Sequence, residues 1–203
     1  LIKEVSFGND GNISKDKLED CINSDLANNF GNLCQRVTAF AEKNCSSKVP
    51  KIKKFNDADL VMLNKFTDNL SIIRDEIDKQ NINYYINFIV NALFEANKYF
   101  NDQEPWKKKD DQERLDTIVY TALEMIRKIS ILLYPIIPNS IKKVLKIFDL
   151  TVENIDLESI KSHDYLKADS TINKIDILFK KIEKKNDWFS LPFRSWTFIR
   201  KSR

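Results

Sequence analysis

From Leu18 onward, apolar side chains return every three or four residues, at Leu18, Ile22, Leu26, Phe30, Leu33, Val37 and Phe40. That recurrence is the signature of an amphipathic helix and predicts one running to about residue 44. Ser14 is the expected N-cap and Asp16 falls in the first turn, where a carboxylate favours the helix dipole. Upstream, "SFGNDGNIS" holds two of the chain's three glycines and reads as a turn. The same pattern predicts a second helix from about Asp57, through Leu60, Leu63, Phe66, Leu70, Ile73 and Ile77. A third carries Ile82, Tyr85, Ile89, Leu93, Ala96 and Phe100, and a fourth runs from about Gln112 to Leu133. In that fourth helix Leu115, Ile118, Ala122, Met125, Ile129 and Leu132 are the expected inward stripe. Prolines supply the punctuation. Pro50 breaks the first connection, Pro105 ends the third helix, and Pro138 after "YPII" opens a shorter helix to about Phe148. No two-residue alternation and no Asn-Gly hairpin signal precedes residue 150. The expected fold is all-α, a bundle of about five helices.

Beyond residue 150 the periodicity weakens, and "ILFKKIE" is the last segment expected to pack. The following stretch crowds Trp188, Phe189, Phe193, Trp196 and Phe198 together without helical or strand periodicity. The chain therefore divides into a junction over 1–13, a helical domain over 14–183 and a tail over 184–203 expected to be poorly ordered and outside the bundle.

Composition narrows the class. With 42% hydrophobic and 31% charged residues, the chain reads as globular and not wholly disordered. The longest apolar run, "ISILLYPIIP", falls short of the roughly 18 to 20 residues a membrane helix needs and contains two prolines. No membrane partner is expected. The first residues, "LIKEVSFGND", show neither an initiator Met nor a signal or transit peptide, so a cytoplasmic piece of something longer is expected. Cys21, Cys34 and Cys45 lack CxxC spacing and His163 is the single histidine, so no metal site is expected and the thiols read as reduced.

Charge is unevenly placed. The net +3 conceals +5 over residues 184–203, where six cations oppose Asp187, and −2 over the rest. A protein that held nucleic acid by neutralising phosphates would show a broad basic face. None is legible, so no DNA partner is expected, and any RNA contact must rest on a few placed side chains.

Catalysis finds little to build on. There is no Gly-rich phosphate cradle, no GxSxG and no metal cluster, and the carboxylates read as solvated helix faces. Binding is better supplied. "INSDLANNFGNLCQR" packs four asparagines into a helix, although asparagine amides compete for backbone hydrogen bonds and disfavour helices. Asn32 and Arg36 lie one turn apart on a face about 100° from the apolar stripe. There they form either a surface polar pair or an amide and guanidinium matched to a nucleobase edge. Trp106 follows Pro105 in a connection rich in lysine ("PWKKK"). It is either a lid on the bundle end or a platform for an unpaired base. Gly31 inside a helix costs roughly 0.5 to 1 kcal/mol against alanine, so close packing or close ligand approach must explain it.

Several long motifs point further. "EVSFGNDGNIS", "INSDLANNFGNLCQR" and "ANKYFNDQEPWKKKD" closely resemble, in order and spacing, the C-terminal part of bacterial methionyl-tRNA synthetases. "LLYPIIPNSIKKVL" resembles the family's next helix pair and "ILFKKIE" its usual ending, so the resemblance covers about residues 1–183. It implies a helical anticodon-binding domain whose partner is tRNA(Met) with anticodon CAU. By the same resemblance Asn32 and Arg36, in the "NLxxR" motif, hydrogen-bond the first anticodon base, cytosine, while Trp106 of "PW" stacks beside it. Asn23, Asn28 and Asn29 are then left to packing and helix-to-helix hydrogen bonds. Ser6 stands where the family often has proline.

HIGH-like and KMSKS-like signatures occur nowhere in the 203 residues. No cofactor is therefore expected in this chain, and ATP and methionine belong to the parent enzyme's catalytic half, a possible partner. A split or degraded gene, or a fragment, is the expected origin. Two alternatives remain: the anticodon domain of a related synthetase for cysteine, valine or isoleucine, and a helical protein-interaction scaffold without RNA binding.

Overall fold

The computed structural model describes residues 3, 8, 11 and 14–183. The expected tail over 184–203 lies outside the described residues, as does Ser6. From Lys15 to Asn44 the chain is one helical rod in three parts: α1 (Lys15–Cys21), a π-helical stretch (Ile22–Gly31) and α2 (Asn32–Asn44). Ser14 caps it as expected, its hydroxyl accepting from the Lys17 N–H at 3.2 Å.

The π stretch is a departure from the uninterrupted α-helix read from the sequence. Leu18, Ile22, Leu26 and Phe30 are each four residues apart. On an α-helix every such step overshoots a turn by about 40°, leaving Leu18 and Phe30 about 120° apart. The wider π turn absorbs that overshoot. It keeps Leu18, Ile22 and Leu26 on one apolar cleft against Ile86, Ile89 and Leu93, and Phe30 is fully buried. Gly31 closes the stretch. A Cβ there would stand 3.3 Å from the Leu26 carbonyl oxygen and 3.5 Å from the Phe179 ring, so close packing accounts for the glycine.

The remaining helices fall where the periodicity places them: α3 (Asp57–Asp78), α4 (Ile82–Gln103), α5 (Gln112–Leu133) and α6 (Pro138–Leu145). A capping box starts α3, with the Asn56 side chain accepting from the Asp59 N–H at 3.0 Å and the Asp59 carboxylate accepting from the Asn56 N–H at 2.9 Å. Pro138 opens α6 at a position where its missing N–H costs nothing.

Helix α5 is the axis of the bundle. Its residues from Thr117 to Leu133 are all buried, which corrects the one-sided stripe and the solvated carboxylates read from the sequence. The reason is the irregular segment after Phe148, which lies over the polar face and satisfies it. Glu124 accepts from Arg127 Nε at 2.7 Å and from the Leu166 N–H at 2.7 Å. Arg127 also donates to the Ser159 carbonyl at 2.9 Å and lies 4.2 Å from the centre of the Tyr165 ring. Lys128 donates to the carbonyls of Ile160 and Ser162. Buried charges persist when paired and bonded in this way.

The segment ending in "ILFKKIE" packs as expected, but without a helix. Around an isolated Lys48–Thr171 bridge, Val49 donates to Ser170 and accepts from Asp169, and the Ile172 N–H donates to the Ser47 carbonyl. Phe179 packs on Phe30, with ring centres 6.3 Å apart. Asn23 grips the Ile182 backbone twice, at 2.9 and 2.8 Å. No helix among the described residues is long and apolar enough to cross a membrane.

Candidate nucleic-acid interface

Three elements meet at one end of the bundle: the first turn of α2, the last turn of α4 and a 3-10 turn at Pro105–Lys107. Asn32 opens α2 with its side chain exposed, and Arg36 stands one turn further on, half-buried. One Arg36 amine donates to the Asn101 side-chain oxygen at 2.5 Å. The guanidinium carbon lies 5.7 Å from the centre of the Phe100 ring, a cation–π contact. Trp106 meets the same ring edge-on, with centres 6.3 Å apart and planes at 70°. Phe100, itself only 2% exposed, is thus a shared wall for both sequence-predicted residues.

The Trp106 indole rests an edge on the bundle end yet keeps 40% of its surface exposed. The local sequence enforces this. Glu104 ends α4 in the left-handed region at φ 45°, turning the chain sharply, and Pro105 then buries itself and fixes the following turn. Lys107 ties back to Glu104 at 2.7 Å, while Lys107, Lys108 and Lys109 remain exposed beside the indole.

Below the loop, a buried brace holds α4 and α5 in register. Asp59 is fully buried and receives Arg114 through two bonds of 2.6 and 2.9 Å. Arg114 also donates to Gln103 at 2.6 Å, and the Tyr99 hydroxyl donates to Asp59. Burial and the neighbouring Asp59 carboxylate push the Tyr99 phenol above its ordinary pKa, so it stays a donor.

Chemically, the site offers a mixed set of donors and acceptors. Arg36 commits one of its five N–H groups to Asn101 and keeps the rest. Asn32 makes no hydrogen bond to any described protein atom. Asn32 and Arg36 share one helix face and do not bond each other. The thiols add no nucleophile, since burial raises Cys34 and, with the Asp116 charge, pushes Cys45 up to about 12. Sequence reasoning missed Phe100 and Asn101. By its spacing Phe100 belongs to the apolar stripe of α4, and the one signal for Asn101 is its place five residues before the indole. Of the other asparagines, Asn23 and Asn29 serve packing as expected, Asn29 accepting from Asn97 at 2.6 Å; Asn28 is exposed.

Comparison with known proteins gives the family. Residues 49–191 match the family model described as the anticodon binding domain of methionyl tRNA ligase. A methionine–tRNA ligase of Rickettsia felis is 36% identical over 190 residues, covering 90% of this chain and 36% of that protein. Its counterpart from Thermotoga maritima is 31% identical over 188 residues, covering 92% and 30%. Among solved structures, the apo form of Mycobacterium tuberculosis methionyl-tRNA synthetase superposes with a TM-score of 0.84 at 30% identity, covering 90% of this chain and 37% of that one. The same enzyme bound by methionyl-adenylate gives 0.82.

The class is therefore that of the helical anticodon-binding domains of aminoacyl-tRNA synthetases. Within it, the chain belongs to the family of the methionyl tRNA ligase anticodon-binding domain. The chain spans about a third of the length of the curated relatives it matches.

Proposed function

We propose that this chain reads the anticodon of tRNA(Met), as the recognition part of a cytoplasmic methionine–tRNA ligase. Its catalytic half is the expected partner and the place where ATP and methionine bind. Arg36 and Asn32 hydrogen-bond the edge of the first anticodon base, cytosine, and Trp106 stacks on that base. The observation that carries this reading is the shared Phe100 wall, which brings a guanidinium and a half-exposed indole together at the bundle end. The guanidinium supplies donors to the cytosine acceptors and the free Asn32 amide supplies both kinds of group. The lysines beside Trp106 attract the loop phosphates.

The test is a titration of the chain with an anticodon stem-loop carrying CAU, against one carrying UAU, at fixed salt. Tighter binding of the cytosine loop is expected. Equal affinity for both would remove the assignment of base recognition to these residues.

A further inference from the structure

Little holds the Trp106 side chain directly. Its indole N–H bonds no described protein atom, and its ring meets Phe100 only by an edge. What aims the ring is the backbone just before it: Gln103, the last residue of α4, and Glu104, left-handed at φ 45°. We infer that Gln103 is a positioning residue, which fixes the turn that presents Trp106 by tying the end of α4 to the Arg114 guanidinium. The consequence for RNA binding rests on the anticodon reading given above; the consequence for the indole itself does not.

Three features of the geometry support this. First, the turn needs a restraint. A non-glycine residue stays in the left-handed region only where its surroundings over-determine it. On the far side of Glu104 stands its own pair with Lys107, which is solvent-exposed, and exposed pairs hold weakly. On the near side the Gln103 side-chain oxygen accepts from Arg114 at 2.6 Å, with both side chains partly buried. Second, the donor is itself fixed. One Arg114 amine spends its two hydrogens on Asp59, at 2.9 Å, and on Gln103, while the other amine meets the second Asp59 oxygen at 2.6 Å. A planar guanidinium gripped at two points has its remaining N–H direction set, so Gln103 is received in one place. The Tyr99 hydroxyl and the Asn56 N–H donate to the same carboxylate and hold it in turn. Third, the clamp joins three helices. Asp59 lies in the first turn of α3, Arg114 in the first turn of α5 and Gln103 in the last turn of α4. The end of α4, and with it the indole three residues on, is therefore referenced to the core of the bundle and not to α4 alone.

The experiment uses the full chain with Trp188→Phe and Trp196→Phe, which leaves Trp106 as its one indole. Gln103→Leu removes the acceptor at similar size, Gln103→Ala is a second variant should that one fold poorly, and Gln103→Glu keeps an acceptor for Arg114. Circular dichroism checks the fold. Acrylamide should quench Trp106 fluorescence more strongly in Gln103→Leu than in the parent, and Gln103→Glu should restore the parent value. Binding of the CAU and UAU stem-loops should weaken alike in Gln103→Leu, by about five-fold, the low end of the range for losing a stacked base. In a Trp106→Ala chain, Gln103→Leu should add no further loss. Unchanged quenching in a folded Gln103→Leu chain would overturn the inference, because a bond that only adds stability leaves the indole where it was. So would a failure of Gln103→Glu to restore quenching, or an equal loss of affinity with and without Trp106. If quenching responds as expected but Trp106→Ala binds RNA as tightly as the parent, the stacking role proposed for Trp106 falls and the positioning of the indole by Gln103 stands.

Discussion

The guanidinium of Arg36 and the ring of Phe100, on different helices, stand 5.7 Å apart, and Trp106 shares that ring. Phe100 therefore sets the distance between the two candidate base contacts, although it is buried and touches no ligand surface itself. It also packs edge-on with Phe40, ring centres 5.8 Å apart. Phe100→Leu should cost about 1 to 2 kcal/mol of stability, below the ~3 to 5 of truncation to alanine. It should also weaken stem-loop binding with the fold intact. Thermal melts and a titration check both effects, and unchanged affinity in a folded variant would separate Phe100 from the site.

Trp106→Ala and Arg36→Ala should weaken RNA binding with different signatures. Stacking tolerates base identity, so losing the indole should cost roughly 1 to 3 kcal/mol for cytosine and uracil loops alike. Arg36 reads a base edge, so its loss should cost a similar ~1 to 3 kcal/mol for the cytosine loop and flatten the discrimination. Asn32→Ala should resemble Arg36→Ala, and the double variant should fall short of the sum because both act on one base. If all three variants keep both affinity and preference, the site assignment is wrong.

Periodicity makes the helices other than α5 legible because each buries mainly one face, and the prolines and caps at Ser14, Asn56 and Pro138 mark their ends. The π stretch left a trace in the strict four-residue spacing from Leu18 to Phe30, a drift that an α-helix cannot keep on one face. What stayed hidden depended on long-range contacts. Glu124, Arg127 and Lys128 look like a solvated face because nothing local shows that residues 158–166 return to cover them. At the site, Asn32, Arg36 and Trp106 are legible one by one, but the wall that Arg36 and Trp106 share is Phe100, which the spacing places only on the apolar stripe of α4.

The Asp59–Arg114 pair beneath the loop makes a stability prediction with an internal control. Asp59→Ala leaves a guanidinium only 17% exposed without its carboxylate, and should cost about 3 to 5 kcal/mol. Adding Arg114→Met removes the stranded charge and should recover a good part of that loss. Chemical denaturation of the two variants measures both numbers. A double variant no more stable than Asp59→Ala would mean that the cost lies in the α3 cap and not in the unpaired charge.

ATP–pyrophosphate exchange with methionine should sit at background for these 203 residues. The candidate site holds amides, a guanidinium and an indole, with nothing arranged to orient a triphosphate. Exchange above background with the purified chain would contradict the division of labour proposed above.

The last prediction concerns acid. His163 is wedged between Lys128, 3.2 Å from its Nδ1, and the Asn64 side-chain oxygen, 2.7 Å from its Nε2. An ammonium can only donate, so Nδ1 accepts and Nε2–H donates to Asn64, which fixes the neutral tautomer. Burial first, and the Lys128 charge second, hold the imidazole pKa below its usual value of 6.5; the carboxylates of Glu124 and Asp164 oppose this only in part. Lys128 itself, pushed down to about 8 by burial, stays charged in the acid range. Because the folded pKa lies below the unfolded one, the unfolded chain binds more protons as pH drops below about 6.5. The stability held above that pH is therefore lost on acidification, with a slope of at most ~1.4 kcal/mol per pH unit from this residue. His163→Gln keeps an acceptor for Lys128 and a donor for Asn64 but does not titrate. Thermal midpoints at pH 7.5 and 5.5 should fall on acidification in the unaltered chain and fall distinctly less in His163→Gln. Parallel falls in the two proteins would show that the acid sensitivity arises elsewhere and that the imidazole does not carry it.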